Sequence, residues 1–229
     1  MKDLNAELEM LFDKWKLEHI FDEDYKENTP RFNGIFIPKE NFLSDGFCIS
    51  EPKEKTILYI SKESHEYSTK NIHNNSLKAI LNKNLYWLKQ TLSDNKNPIF
   101  ARRIKLMQED ALKEDLSNVT FMNINKRGGF EKTNMEILRK YAIQYSKNII
   151  SEIEIINPKL IICCGSGLKD ILHRLYDINN KIIPKHIIEI YHPSYHYISD
   201  CNYKKLFLNK LKKLEKQIWF AKRMIELNY

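Results

Sequence analysis

The feature that most constrains the fold of this chain is an alternation of short apolar runs with longer amphipathic segments. Four apolar runs predict buried strands, at residues 57–60, 119–124, 159–164 and 187–191. Between them, apolar residues recur every three to four positions, which is the spacing of a helix that buries one face. Strands that alternate with helices form parallel sheets covered on both sides. The sequence therefore predicts an α/β fold, a three-layer α/β/α sandwich with a central, mostly parallel, four-stranded sheet.

The same periodicity predicts the helices and the organisation of the chain. Helices are expected at 3–20, 76–92, 98–113, 135–155, 168–176 and 203–227. The 229 residues suffice for one hydrophobic core, so we expect a single domain, 1–229. It divides into an N-terminal helical and loop cap (1–55), an α/β core (56–200) and a C-terminal helix (201–229).

The composition excludes several classes of protein. None of the four cysteines forms a C-x-x-C pair, so neither a zinc ribbon nor an iron–sulfur clip is expected. No apolar run approaches the roughly 18–20 residues of a membrane span, and the N-terminus lacks a signal-peptide core, so we expect a cytoplasmic protein without membrane contact. The formal net charge of +7 is compatible with a polyanionic partner, and equally with a general bias toward lysine.

Ligands of open parallel sheets bind outside the carboxyl ends of the strands, which selects four segments. They are residues 61–65, 123–126, 165–167 and 192–194. Each has a purely structural explanation: a polar turn, a capping asparagine, a strand-to-helix turn with Ser166 as N-cap, and a surface histidine. Together they bring an acid, an amide, a glycine-serine turn and a histidine to one edge. Such a set offers a base, a donor–acceptor pair, N–H groups for a phosphate and a donor for developing negative charge.

Three of these segments resemble motifs of the uracil-DNA glycosylase superfamily. Residues 121–126 (Phe-Met-Asn-Ile-Asn-Lys) resemble the strand-end motif t-N-v-v-K of its iron–sulfur branch. Residues 157–165 are similar to the P-k-v-i-v-a-l-G strand of that branch, and residues 191–195 (Tyr-His-Pro-Ser-Tyr) to its y-H-P-S loop. The resemblance covers residues 55–200, with the three motifs in the family's order.

The resemblance implies a DNA glycosylase, which flips a damaged base out of the helix and cleaves its N-glycosidic bond. Glu63 matches the position that orients or activates water, and His192 matches the histidine that stabilises the departing base. Asn123 matches the asparagine that reads the base edge. The remaining expected contacts are Ser61, Lys62 and His65 for the substrate, and Lys126, Arg127, Gly165, Ser166, Ser194 and Tyr195 for DNA. The scheme requires no metal and no cofactor.

The first motif departs from the family's pattern. Ser61 stands where the family has glycine, Glu63 replaces Asp or Asn, Ser64 replaces proline, and His65 occupies a position where some branches have tyrosine. The cysteine ligands of the iron–sulfur branch are absent. These changes fall in the pocket, so they leave open which base is removed, uracil or a larger modified pyrimidine. They also leave open whether the DNA is double- or single-stranded.

Three alternatives remain at the level of sequence. The same fold can clamp DNA without cleaving it. An unrelated α/β enzyme can use the turn at 165–167 for a nucleotide or sugar phosphate, although the G-x-G-x-x-G and P-loop fingerprints are both absent. The lysine-rich C-terminal helix can serve a protein partner. The sequence does not determine the oligomeric state, and we expect a monomer.

Overall fold

The computed structural model describes residues 4–25, 39, 41–47, 55–65, 99–129 and 133–227. Within these ranges the helices are α1 (Leu4–Ile20), α2 (Ile99–Lys105), α3 (Met135–Gln144), α4 (Ser146–Ile156), α5 (Leu168–Ile178) and α6 (Asp200–Leu227). The strands are β1 (Gly46–Phe47), β2 (Ile57–His65), β3 (Val119–Gly129), β4 (Leu160–Cys164) and β5 (Ile187–Ile190). A π-helical segment (Leu106–Ala111) continues α2, and a 3-10 turn (Leu116–Asn118) precedes β3.

The strands form one sheet in the order β1-β3-β2-β4-β5. The last four are parallel, while the short β1 pairs antiparallel with β3 at the edge, with Gly46 opposite Phe121. The predicted α/β fold with a four-stranded parallel sheet between helices is therefore confirmed. The sequence analysis missed β1, because a strand of two residues is too short to show periodicity.

Both faces of the sheet are covered, and this produces two hydrophobic cores. One face, represented by Leu58 and Ile60, packs against α1, α3, α4 and α5. The other, represented by Tyr59 and Ile162, packs against α2, the π-helical segment and α6. We call them the α3 face and the α6 face. Because side chains alternate along a strand, neighbouring residues of β2 and β3 belong to different faces.

The two strands that carry predicted site residues are longer than predicted. The structure extends β2 to His65 and β3 to Gly129, beyond the predicted strand ends at residues 60 and 124, so residues 61–65 are strand and not a polar turn. Ser61 pairs with Asn123 and Glu63 with Asn125, so the ladder continues where the residues turn polar. A search for apolar periodicity ends at the first polar residue and therefore underestimates both strands.

The structure has helices at the predicted places among the described residues, but their bounds differ from the prediction. The predicted helix 135–155 is two helices, because Tyr145 leaves the helical conformation between α3 and α4. α6 begins at Asp200, three positions before the predicted start. The predicted helix 76–92 lies outside the described residues. None of the described helices combines the length and the apolar character needed to cross a membrane.

Candidate active site

Glu63 lies near the carboxyl end of β2, where the pairing register with β3 shifts between Glu63 and His65. Its carboxylate is half-buried and accepts a hydrogen bond of 3.0 Å from Nδ2 of Asn125. A Cβ atom on Gly129 would come within 1.9 Å of the Glu63 carboxyl carbon, so the carboxylate occupies the space beside this glycine. Irregular strand ends of this kind are frequent next to active sites.

The polar residues nearest to Glu63 lie in β2 and β3, at the same edge of the sheet. Ser61 and Glu63 of β2 lie beside Asn123 and Asn125 of β3, and residues paired in a parallel ladder point to the same face. Asn123 and Asn125 are both buried. The Ser61 hydroxyl is also buried and has no hydrogen-bond partner among the described residues. Buried polar atoms without partners are rare, and a bound water or ligand is one explanation for them.

His192 directly follows Tyr191 at the end of β5 and is half-buried. Its ring packs on Phe100 of α2, with 5.7 Å between ring centroids. The backbone N–H of Ser194 donates to its Nδ1 at 3.2 Å. A ring nitrogen that accepts a hydrogen bond carries no proton, so the neutral ring holds its proton on Nε2. The loop therefore makes Nε2–H the donor of this histidine.

Phe100 connects His192 to the site on β3, and the sequence analysis did not single it out. Its ring packs on the Phe121 ring edge-on, at 5.8 Å, as well as on His192. Phe121 precedes Asn123 by two positions and points to the same face. Asn123 and His192 therefore lie on one side of the sheet, linked by the two aromatic contacts, and Glu63 lies at the same carboxyl edge. β4 alone separates β2 from β5, so the strands that carry Glu63 and His192 lie about 10 Å apart.

Lys126 is buried on the α3 face, so its predicted role in binding DNA phosphate is wrong. Its side chain is 0% exposed, and its ammonium contacts both Asp45 and Glu152, the latter at 2.8 Å. Burial, opposed by the Lys126 charge, raises the pKa of Glu152 well above its usual range. The two acids raise the pKa of Lys126, although burial acts in the opposite direction. This lysine stabilises the core and joins β3 to α4.

Arg127 is also buried, and its ion pair with Asp22 argues against the predicted contact with DNA. Its guanidinium donates to Asp22 at 2.8 Å and to the Tyr145 hydroxyl at 3.1 Å. Burial raises the pKa of Asp22, but hydrogen bonds from Gln144 and Arg127 outweigh it and lower the pKa overall. Arg127 therefore anchors the segment after α1 to β3 and α3. It also borders a polar cavity of 330 Å³ whose other lining residues include Asn125, Tyr25, Lys140 and Tyr141.

The turn at residues 165–167 is less suited to a phosphate than the sequence indicated. The Gly165 N–H donates to the carbonyl of Ile190, and the Lys169 N–H at the start of α5 donates to the Glu189 carboxylate at 3.0 Å. An acid already occupies this helix N-terminus, so a phosphate would meet a like charge. The N-cap of α5 is Gly167, with φ of 82°, and not Ser166. Ser166 itself is exposed.

Lys62 lies on the α3 face, opposite to Ser61 and Glu63, because side chains alternate along β2. Its aliphatic chain crosses the end of β4, where a Cβ on Gly165 would come within 2.9 Å of Lys62 Cε. The structure therefore does not bring Lys62 together with Glu63. The backbone of His65 pairs with Gly129 in β3, and its side chain lies outside the described part of the structure.

Ser194 and Tyr195 are exposed in the loop after β5. Tyr195 packs against Tyr191 at 5.0 Å and against Tyr197 at 5.5 Å between ring centroids, with the rings tilted by 32° and 59°. The three tyrosines are between 41% and 78% exposed. We call this set (Tyr191, Tyr195, Tyr197) the tyrosine row. It lies beside His192, so the structure keeps Ser194 and Tyr195 accessible to a partner.

Two residues of the site had recognisable signals in the sequence. Asn125 follows Asn123 at the strand period of two, and therefore had to share its face. Arg103 lies one helical turn from Phe100 and Met107, on the apolar side of α2. A charged residue at such a position predicts a buried polar contact, since an unpaired buried charge is costly. Phe100 had no signal beyond its place in that apolar stripe.

Comparisons with known proteins add no family assignment. No family model matches this chain, and no curated protein is significantly similar to it. Among the described residues, no group of three or more His, Cys, Asp or Glu side chains is placed to hold a metal ion.

Proposed function

We propose that this protein is a DNA glycosylase that hydrolyses the N-glycosidic bond of a flipped-out damaged or modified base, uracil or another pyrimidine. The observation that carries the proposal is the pair formed by Glu63 and His192. Both residues lie at the carboxyl edge of the sheet, with one strand between their own strands. A separation of about 10 Å between those strands leaves room for a sugar and its base.

The carboxylate suits the sugar side of the reaction. Cleavage of an N-glycosidic bond passes through an oxocarbenium-like sugar, as glycoside hydrolysis does. The Glu63 carboxylate would stabilise this cation, orient a water molecule toward C1′ and accept its proton as the new C–O bond forms. The hydrogen bond from Asn125 and the space beside Gly129 keep the carboxylate in place.

The histidine suits the base side of the reaction. When the bond between C1′ and the base nitrogen breaks, its electron pair stays with the base, and negative charge develops on a base oxygen. His192, neutral with its proton on Nε2, would donate a hydrogen bond to that oxygen. Removal of one such donor lowers the rate by roughly 10²–10³-fold. The ring contact with Phe100 would hold the donor in position.

Asn123 is the candidate for recognition of the base. Its side chain lies on the same face as Glu63, one pair further from the strand end. An amide offers both a donor and an acceptor, so it would distinguish bases by the edge they present. A base with the wrong edge would leave the buried amide unpaired, which costs about 1–3 kcal/mol.

The test is an assay for abasic sites on labelled single- and double-stranded DNA that carries uracil, hypoxanthine or a modified cytosine. We expect product from the wild type, and a loss of roughly 10²–10³-fold in His192→Ala. Glu63→Gln should also lose activity. The matched controls are His173→Ala and Glu136→Gln, two exposed residues on α5 and α3. Wild-type activity in Glu63→Gln and His192→Ala would contradict the assignment of both residues.

A second candidate function is favoured by the tyrosine row. Exposed aromatic rings in contact with one another can receive unpaired bases without any chemistry, as in proteins that bind single strands. In that case the protein would bind single-stranded DNA, form no abasic sites on any substrate, and bind as tightly after Glu63→Gln as before.

A further inference from the structure

Arg103 is a buried charged residue in α2 that no step of the proposed reaction uses. Its side chain is 2% exposed, although it carries a permanent positive charge. It lies between Phe100 and Met107 on the side of α2 that faces the sheet. A buried charge is tolerated only when it is paired and hydrogen-bonded, so the partners of Arg103 indicate its structural role.

Those contacts reach across one loop, residues 191–199, which we call the His192 loop. Nη1 donates to the carbonyls of Pro193 at 3.0 Å and Tyr195 at 2.6 Å, and Nη2 donates to the carbonyl of Ile198. Nε donates to Asp200, the first residue of α6, at 3.0 Å. One side chain therefore binds three carbonyls of the loop and the carboxylate at its end.

Tyr203 of α6 also holds the guanidinium in place. The guanidinium stacks over the ring of Tyr203, with 4.5 Å between Cζ and the ring centroid. The Tyr203 hydroxyl in turn donates to the carbonyl of Tyr191 at 2.7 Å. The His192 loop has no helix or strand of its own, so these side-chain contacts supply partners that its carbonyls would otherwise lack. Its conformation depends on Arg103 and Tyr203.

The histidine is linked to this clamp through one amide. The Ser194 N–H that donates to His192 Nδ1 belongs to the peptide unit formed with the Pro193 carbonyl, which Arg103 holds. The carbonyl of Tyr195, two residues further along, is bound by the same Nη1. In addition, the Tyr195 N–H donates to the carbonyl of His192 at 2.8 Å. Movement of either clamped carbonyl would change the hydrogen bond that sets the tautomer of His192.

We infer that Arg103 is a positioning residue for His192: its guanidinium holds the carbonyls of Pro193, Tyr195 and Ile198 so that the Ser194 amide fixes the imidazole with Nε2–H as its donor. The planar fork of arginine can reach several carbonyls at once. Lysine keeps the charge but presents one compact ammonium, so it cannot reproduce the set. The role in catalysis rests on the proposed function, whereas the structural role does not.

Arg102 provides a matched control at the next position. It also binds Asp200, but its side chain is 49% exposed. Arg102→Lys therefore perturbs an ion pair with Asp200 from the same helix, α2, that carries Arg103. It leaves untouched the carbonyl contacts that Arg103 makes with Pro193, Tyr195 and Ile198.

The experiment compares Arg103→Lys with Arg102→Lys by NMR of the ¹⁵N-labelled imidazole of His192 and by hydrogen exchange of the loop amides. In Arg103→Lys we expect the Nδ1 resonance to move as the Ser194 hydrogen bond is lost, and the Ser194 and Tyr195 amides to exchange faster. Arg102→Lys should retain the wild-type signals. Unchanged His192 signals in a folded Arg103→Lys protein, or equal changes in both variants, would overturn the inference.

Kinetics give a second readout on whichever substrate the wild type cleaves. Displacement of a catalytic group by about 1 Å can cost roughly 100-fold in rate. We therefore expect kcat to fall by up to that factor in Arg103→Lys, with KM unchanged, because the donor acts in the transition state. Equal loss in Arg102→Lys would count against the inference. A wild type without activity would refute the proposed glycosylase while the NMR comparison still decides the role of Arg103.

A measurement on the wild type covers the case in which Arg103→Lys does not fold. In a clamped guanidinium, rotation about the Nε–Cζ bond is slow, so the two Nη groups give separate resonances. In an exposed guanidinium this rotation is fast, and the Nη resonances are averaged. We expect resolved Nη signals for Arg103 and averaged signals for Arg102. Averaged signals for Arg103 would overturn the inference without any variant.

Discussion

The end of β3 and the His192 loop lie at the same edge of the sheet, and both contain residues that the sequence assigned to DNA. At the end of β3, Lys126 and Arg127 turn inward and are neutralised by buried acids. In the His192 loop, the aromatic side chains turn outward, and the buried cation beneath them is contributed by α2. A positive charge at this edge therefore serves the fold, while the surface left for a partner is aromatic.

The difference shows that the type of a residue does not fix its role. Lys126 contacts two carboxylates that lie 81 and 26 positions away in the chain. Arg103 contacts carbonyls 90, 92 and 95 positions away. Nothing local marks these partners. Substitutions that remove a buried charge should therefore lower stability, and substitutions in the tyrosine row should weaken binding.

The largest effect is expected from Lys126→Met. It leaves Asp45 and Glu152 buried without their cation, and loss of one partner of a buried ion pair costs about 3–5 kcal/mol of unfolding free energy. Urea unfolding followed by circular dichroism measures this. The control Lys140→Met removes an exposed lysine that pairs with Glu136 one helical turn away, and should change stability by no more than about 0.5 kcal/mol. Equal stability of the two variants would contradict the buried triad.

Gly129→Ala tests the space that the Glu63 carboxylate occupies. The new Cβ would come within 1.9 Å of the carboxyl carbon, so the flexible end of the Glu63 side chain must move and leave the buried Asn125 amide without this acceptor, at a cost of about 1–3 kcal/mol. Catalytic activity should also fall, because the Glu63 carboxylate loses the hydrogen bond from Asn125 that keeps it in place. In a Glu63→Ala background the same substitution should cost much less. If urea unfolding gives the same cost in both backgrounds, the carboxylate does not lie where we place it.

A smaller effect is expected from the pH dependence of stability. Burial, assisted by the charge of Arg127, lowers the pKa of His19 from 6.5 to about 3. The unfolded chain therefore binds a proton that the folded one excludes, and the stabilisation present above pH 6.5 is lost as the pH falls toward 3. Between pH 7 and pH 5 the unfolding free energy should drop by about 2 kcal/mol from this residue.

Comparison of variants isolates the contribution of His19. The drop between pH 7 and pH 5 should be smaller in His19→Gln than in the wild type, when both are measured by urea unfolding. His173→Gln, which removes an exposed histidine on α5, controls for the loss of a histidine as such. A wild-type pH slope in His19→Gln would show that His19 is not buried in its neutral form between Asn41 and Tyr141.

The smallest effect on stability belongs to the tyrosine row. Tyr197→Ala removes an exposed ring and should change the unfolding free energy by no more than about 0.5 kcal/mol. If the row receives unpaired bases, the affinity for single-stranded DNA should fall by about 1–3 kcal/mol. Fluorescence anisotropy with a labelled oligonucleotide measures this. Phe21→Ala, at the exposed end of α1, is the matched control, and an equal loss in both would remove the special role of the row.

The sequence predicted the α/β architecture because each parallel strand begins with apolar residues that are buried on both sides, and such runs are recognisable without knowledge of their neighbours. It also placed Glu63, Asn123 and His192 at the carboxyl edge, since that follows from strand direction alone. It could not predict the ends of β2 and β3, because their last residues are polar and become strand only through pairing with each other. The roles that the resemblance assigns to these three residues stay predictions until the assay is done.

What the sequence determined by itself is the alternation of strands and helices, and with it the edge of the sheet at which chemistry can occur. Which side chains reach that edge was decided by tertiary structure alone. Lys126 and Arg127 are buried because distant acids neutralise them, and the His192 loop is held because Arg103, from a helix far away in the chain, binds its carbonyls. Local periodicity reports burial, whereas the partner of a charge is chosen by contacts that exist only after folding.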